Sequence, residues 1–154
     1  MANAIRKGRD TLSAKKAECL ITIGDRRYVF GNMIDFEANF EKNKVEVPIL
    51  GKVMTSHKTI GGSGTFSGTM HYNQSVLRQM AIDYKNTGID DYFTIQITNE
   101  DPETNLGRQT TILYDCNLDS QLLAKFDADG EYLDEDVEGT FEDFTMPESF
   151  AQLL

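Results

Sequence analysis

Cysteine and histidine are scarce in this 154-residue sequence, with two of each. Cys19, Cys116, His57 and His71 formally make a two-Cys, two-His set, but no two sit at the short chelating spacing of a zinc site. No metal site is expected, and both cysteines read as reduced, buried, small hydrophobic residues inside strand-like segments. Long hydrophobic runs are missing as well. Nothing approaches the roughly 20 apolar residues that a membrane helix needs. After Met1, residues 1–17 offer only Ile5 and Leu12 as large aliphatic side chains, too few for a secretory signal. The expectation is a soluble protein made in the cytoplasm, with no membrane insertion. A single domain of this length buries about 70% of its unfolded surface.

Catalytic spacings are also absent. Neither histidine has a nucleophile or carboxylate at a motif distance, and there is no Gly-x-Ser-x-Gly elbow and no His-Glu-x-x-His. Gly61-Gly62-Ser63-Gly64 lacks the Gly-Lys-Ser/Thr of a phosphate loop and leads into a strand pattern, so it reads as a hinge or turn. Asp127-Ala128-Asp129-Gly130-Glu131 brushes against a calcium loop. Aligning Gly130 with the invariant glycine places Lys125 at the first ligand position, where a cation repels the metal, and a tight hairpin turn at Asp129-Gly130 fits better. No cofactor and no enzymatic activity are expected.

Basic residues are missing from the C-terminal end. Residues 126–154 carry ten acids and no lysine or arginine, within a net charge of −10. Residues 1–17 are the opposite, with Arg6, Lys7, Arg9, Lys15 and Lys16 against Asp10 alone. An acidic body does not wrap nucleic acid, because binding needs cations that displace condensed counterions. The acidic end is a solvated face, or a surface that meets the basic N-terminus of another copy.

What the chain has in abundance is alternation with a period of two, the mark of β-structure. Rows of apolar residues run through Cys19–Ile23, Ile34–Phe40, Phe66–Tyr72, Phe93–Ile97 and Val137–Phe141. Ile112, Tyr114, Cys116 and Leu118 make another row, with Leu113 out of phase. Each row has one apolar and one wet face, as in antiparallel sheets closed over a shared core. From Gln74 to Asn86 the spacing turns helical, through Val76, Leu77, Met80, Ala81 and Tyr84, with Asn73 as N-cap and Gly88 as the stop. The predicted fold is mainly β, an antiparallel sandwich or barrel with one flanking helix over about 74–86.

One stretch is too long for such a domain. Sixteen extended residues from Ile34 to Ile49 would span about 53 Å at ~3.3 Å each, against a domain diameter of about 40 Å. The apolar face also switches, from even positions (34–40) to odd ones (45–49). A turn or bulge at Lys42-Asn43-Lys44 inside an ordinary meander accounts for the switch, and so does a strand leaving its domain. Residues 45–60 then hold Val45, Val47, Ile49, Leu50, Val53, Met54 and Ile60 among Lys44, Lys52, His57 and Lys58. An apolar loop of this length needs cover, and a neighbouring subunit supplies it. A protruding loop is expected over about 42–62.

The ordered set of segments resembles the XkdM-type phage tail tube family. The resemblance rests on Phe36 to Gly51, Met54, His57-Lys58-Thr59, the Gly62–Thr69 strand, Asp91-Tyr92-Phe93-Thr94, Thr111–Leu118 and Gly139–Glu148. It implies a tube subunit of a contractile tail, in a phage, a phage-like element or an R-type bacteriocin. Members form hexameric rings, joined sheet edge to sheet edge and stacked inside a sheath, with a long loop and terminal arms reaching the adjacent ring. The implied stacking-loop contacts are Lys44, Val45, Val47, Ile49, Leu50, Val53, Met54, His57 and Lys58, and the implied arm contacts are Arg6, Lys7 and Arg9. Implied partners are other copies, the sheath, baseplate and tape-measure proteins, and DNA as non-sticking cargo. The implied location is the tail of the particle, after assembly in the bacterial cytoplasm. The expected organisation is a basic arm (1–17), one β-domain (18–150) and a short tail (151–154). Two alternatives stand beside this reading: another structural component of the same particle, or a monomeric barrel with an internal ligand pocket.

Overall fold

In the computed structural model, which describes residues 8–10, 12–13, 17–29 and 33–151, the chain forms eight strands and one α-helix. In order these are β1 (Ala17–Ile23), β2 (Arg26–Val29), β3 (Met33–Val47), β4 (Ser56–His71), α1 (Val76–Thr87), β5 (Phe93–Glu100), β6 (Arg108–Leu118), β7 (Asp134–Phe141) and β8 (Asp143–Glu148). The strands pair antiparallel in the order β2–β1–β5–β6–β7–β4–β3, and β8 pairs with β6. One edge of β6 is shared: Asn117 and Leu118 meet β7, whereas Thr110–Tyr114 meet β8. At this seam the sheet folds over itself. The β1–β5–β6 half then faces the β4–β7 half across one core, a barrel-like sandwich as the alternation predicts.

Most of the predicted rows point inward. Cys19 and Ile21, Phe66 and Met70, Phe93 and Ile95, and Val137 and Phe141 are buried in one cluster, with Leu77 and Met80 of α1 covering it. Glycine makes room for the rings. The Phe141 ring lies where a Cβ on Gly64 would be, and the Phe66 ring lies against Gly139. The apolar space among Ile21, Phe66, Phe93 and Ile95 amounts to about 20 Å³, room for one water molecule and for no ligand. Burial pushes the Cys19 and Cys116 thiols up to about 12, so both stay protonated and inert at neutral pH.

Several local expectations are corrected. Leu113 is a core residue at 2% exposure, as is Cys116 at 0%. Asp115 adopts φ 53° between them, and the β5–β6 register slips there, so both side chains face inward although their positions differ by an odd number. Ile34 is likewise looped out: Met33 and Asp35 pair with the consecutive residues Met70 and Thr69, leaving Ile34 half-exposed. The helix begins two residues later than Asn73 suggests, with Ser75 as N-cap, and it ends on Gly88 at φ 72°. Asp127–Gly130 is a turn, closed by Gly130 N–H donating to the Asp127 carbonyl (3.3 Å). It leads into β7 from a segment without regular structure and so does not join two paired strands.

Helix α1 is latched to β7 by a buried ion pair. Arg78 reaches Glu135 at 2.9 Å, with side chains only 14% and 1% exposed. Gln74 Nε2 donates to the same carboxylate oxygen (2.7 Å), and the guanidinium lies 4.3 Å from the centre of the Tyr72 ring. Desolvation pushes the Glu135 carboxyl above its ordinary range, while Arg78, Gln74 and Lys125 pull it back. Replacing Arg78 with methionine leaves a buried carboxylate without its cation, and is expected to cost about 3 kcal/mol at pH 8. Folded Glu135 holds its proton more tightly than the unfolded chain does. Its contribution is therefore gained as pH falls and lost as pH rises through the raised folded value. Urea unfolding should show the Arg78→Met deficit shrinking from pH 8 to pH 5; a deficit indifferent to pH would show that Arg78 acts through packing alone.

Candidate functional site

The expected protrusion is present, and it is built as a ribbon. β3 and β4 pair from Met33↔Met70 out to Val47↔Ser56. β7 lies beside β4 only from Gly64 to His71. Beyond Gly64 no third strand accompanies the ribbon among the described residues, and the eight residues Ser56–Ser63 carry it about 26 Å further at ~3.3 Å per residue.

The root is held by aromatic rings. Phe40 packs against Phe144 of β8 (centroids 5.6 Å apart), which meets Phe141 edge-on at 6.0 Å. The switch in apolar phase is real and lies within β3, which alternates without interruption from Asp35 to Val47. The extra residue is on the other strand: Asn43 and Lys44 pair with Gly61 and Thr59, so Ile60 of β4 is looped out. Val45 and Val47 therefore sit on the face of β3 opposite Phe36 and Phe40.

The tip connects the strands through residues 48–55. Gly51 takes φ 82°, the left-handed conformation that lets the chain reverse, and Lys52 Nζ braces the turn on Ser56 Oγ (2.6 Å). Leu50 and Val53 are fully exposed, Met54 is 77% exposed, and Ile49 is half-exposed. Lys44 and Val45 are exposed on β3, where Val47 is half-buried, and His57 and Lys58 are exposed on β4, opposite Glu46 and Val45. The ribbon thus brings all nine predicted stacking residues together. Arg9 is exposed in a short 3-10 turn (Gly8–Asp10), and Arg6 and Lys7 lie outside the described residues.

Two surfaces extend beyond the acidic end that the sequence marks out over residues 126–154. On the outer face of β3–β4–β7, Glu37, Ser67 and Glu138 form one row across the strands, and Asp35, Thr69 and Asp136 form the next. Residues 33–41, 63–71 and 134–142 contain no lysine or arginine, and this face is mainly carboxylate and hydroxyl, with the Asn39 amide and the His71 ring among them. The second surface is the irregular segment before β7, where Leu123, Phe126 and Tyr132 are exposed. Its signal in the sequence is large apolar residues among acids without either period, a pattern that points to no element.

Comparisons with known proteins identify relatives of this chain. A family model described as phage tail tube protein matches residues 4–148. The chain is 39% identical over 145 residues to the phage-like element PBSX protein XkdM of Bacillus subtilis (strain 168), covering 94% of this chain and 96% of that one. In fold it is similar to a chain in the anti-feeding prophage cap, with a TM-score of 0.65 at 12% identity over 97% of this chain and 96% of that one. It is also similar to a chain in the sheath-tube complex of an extracellular contractile injection system, with a TM-score of 0.59 at 12% identity over 85% of this chain and 88% of that one.

Proposed function

The chain belongs to the phage tail tube protein family, and from that membership we propose that it is the structural subunit of the inner tube of a contractile, phage-type tail. Its activity is polymerisation, and no catalysis is assigned to it. Copies form six-membered rings that stack into a hollow tube inside a sheath, with baseplate and tape-measure proteins at the tube's end and in its channel. The particle assembles in the bacterial cytoplasm, and the tube serves DNA passage or membrane puncture.

The observation that carries this reading is the ribbon with its uncovered apolar tip. A monomer gains nothing from Leu50 and Val53 standing in water, whereas a stacked copy removes them from it. A six-fold head-to-tail contact closes a ring, and joining sheet edges such as those of β2 and β3 satisfies backbone groups that otherwise invite uncontrolled pairing. The carboxylate face of β3–β4–β7 suits a channel wall, since it repels DNA phosphates and lets the duplex slide. Residues 1–17, with Arg6, Lys7 and Arg9, act as an arm that meets an acidic neighbour; residues 18–150 are the tube domain and 151–154 its tail.

Negative-stain microscopy of the purified protein tests the proposal. Hollow tubes or rings with six-fold symmetry are expected. A protein that stays monomeric at high concentration would refute it.

A further inference from the structure

Two groups of exposed apolar side chains lie at opposite ends of β4. At the Ser56 end is the ribbon tip, with Leu50, Val53 and Met54. At the His71 end, Tyr72 N–H donates to the Leu133 carbonyl (3.1 Å), and the Tyr132 ring packs on His71 at 5.6 Å. Lys125 bonds to Asp134, whose partner across the sheet is His71, so the segment bearing Phe126 (89% exposed) and Leu123 is fixed at that end.

The charges of the two ends are opposite. Residues 42–60 carry four lysines against one glutamate, in a protein of net −10. Residues 119–134 carry five acids against Lys125 alone, and that lysine is already tied to Asp134. Two unlike patches at opposite poles of a rigid ribbon cannot meet within one molecule. A two-fold contact would use both patches at once, tip on segment and segment on tip, and would stop at a dimer. Head to tail, each copy keeps one patch free for the next, and with the patches at opposite poles the copies add along the ribbon axis as an open stack.

We infer that the tip of one copy docks on the 119–133 segment of a second copy in the next ring, with Leu50, Val53 and Met54 against Leu123 and Phe126 and the ribbon lysines facing Asp127 and Asp129. The inference rests on the tube reading and adds to it the receiving surface, hence the polarity of the stack. Apolar contact supplies the attraction, and the charges fix the register and speed the encounter. Lysines on the tip also disfavour contact between two tips, and acids on the segment disfavour contact between two segments.

The test is the full chain carrying Val53→Cys and Phe126→Cys, oxidised mildly and run on a non-reducing gel. The native thiols are buried, with values pushed up to about 12, so they contribute no background. A ladder of covalent dimers, trimers and longer chains is expected. The chain with Val53→Cys alone should stay monomeric, and so should the pair Val53→Cys with Ile89→Cys, the latter an exposed position after α1. Tubes from the unmodified protein without a ladder from the pair would overturn the docking and leave the tube reading intact. Dimers from Val53→Cys alone would replace it with tip-to-tip contact, and an equal ladder from the Ile89→Cys pair would reduce it to random collision. Absence of tubes from the unmodified protein would remove the function and the docking together.

Discussion

Replacing Leu50 and Val53 together with aspartate is expected to leave a folded protein that forms no tubes. Both side chains are fully exposed in the single copy, so the fold loses no packing, and its stability should change by no more than about 0.5 kcal/mol. In the stack each buried side chain is worth about 1.5–3 kcal/mol. The pair therefore removes about 4 kcal/mol per contact, roughly a thousandfold in association, and a stack held by many such contacts loses that factor at each one. Two carboxylates forced into an apolar seat weaken it further. Sedimentation velocity beside a thermal melt separates the two effects. Long tubes from this variant would show that the tip does not carry the stacking.

Gly139→Ala is expected to do the reverse, attacking the fold before assembly. A Cβ at Gly139 would collide with the Asn117 carbonyl oxygen and fall 2.6 Å from the Phe66 ring. Neither can yield: the carbonyl belongs to β6 at the seam, and the ring is 4% exposed within the core. Overpacking at so tight a contact should cost about 3 kcal/mol, lowering Tm by about 10 °C in a domain of this size. Gly8, where a Cβ meets nothing within 4 Å, is the control, and Gly8→Ala should stay within about 0.5 kcal/mol of the parent. Equal melting temperatures for Gly139→Ala and the parent would mean that the seam between β6 and β7 is looser than these contacts require.

The parts of this fold that could be read from the sequence are those where a local period carries the burial. Phe66, Met70, Val137 and Phe141 alternate with hydroxyls and acids, and that alone places them inward. The helix could be read because Leu77 and Met80 sit three apart with Gly88 behind them. The protrusion could be read from length, since a strand of that reach outruns its own domain. What escaped depends on contacts distant in sequence. β8 is exposed at every position and exists only because β6 lends it an edge, so no periodicity announces it. Leu113 turns inward because Asp115 breaks the alternation two residues later. Arg78 and Glu135 lie 57 residues apart, and nothing about either one marks the other as its partner. The acidic face became visible only when β3, β4 and β7 were set side by side in register.

The alternation of β3, unbroken from Asp35 to Val47, has one more consequence. Phe36 and Phe40 on one side of that strand pack on rings of their own domain, whereas Val45 and Val47 lie on the other side and further out, beyond the third strand. On the proposed stacking, folding and assembly would use separate surfaces of a single strand. Sequence drift at the outer positions can retune how firmly copies hold one another without touching what each needs to fold, and drift at the inner positions can do the converse. A tube built this way can be made tighter or looser over evolutionary time while its building block stays the same.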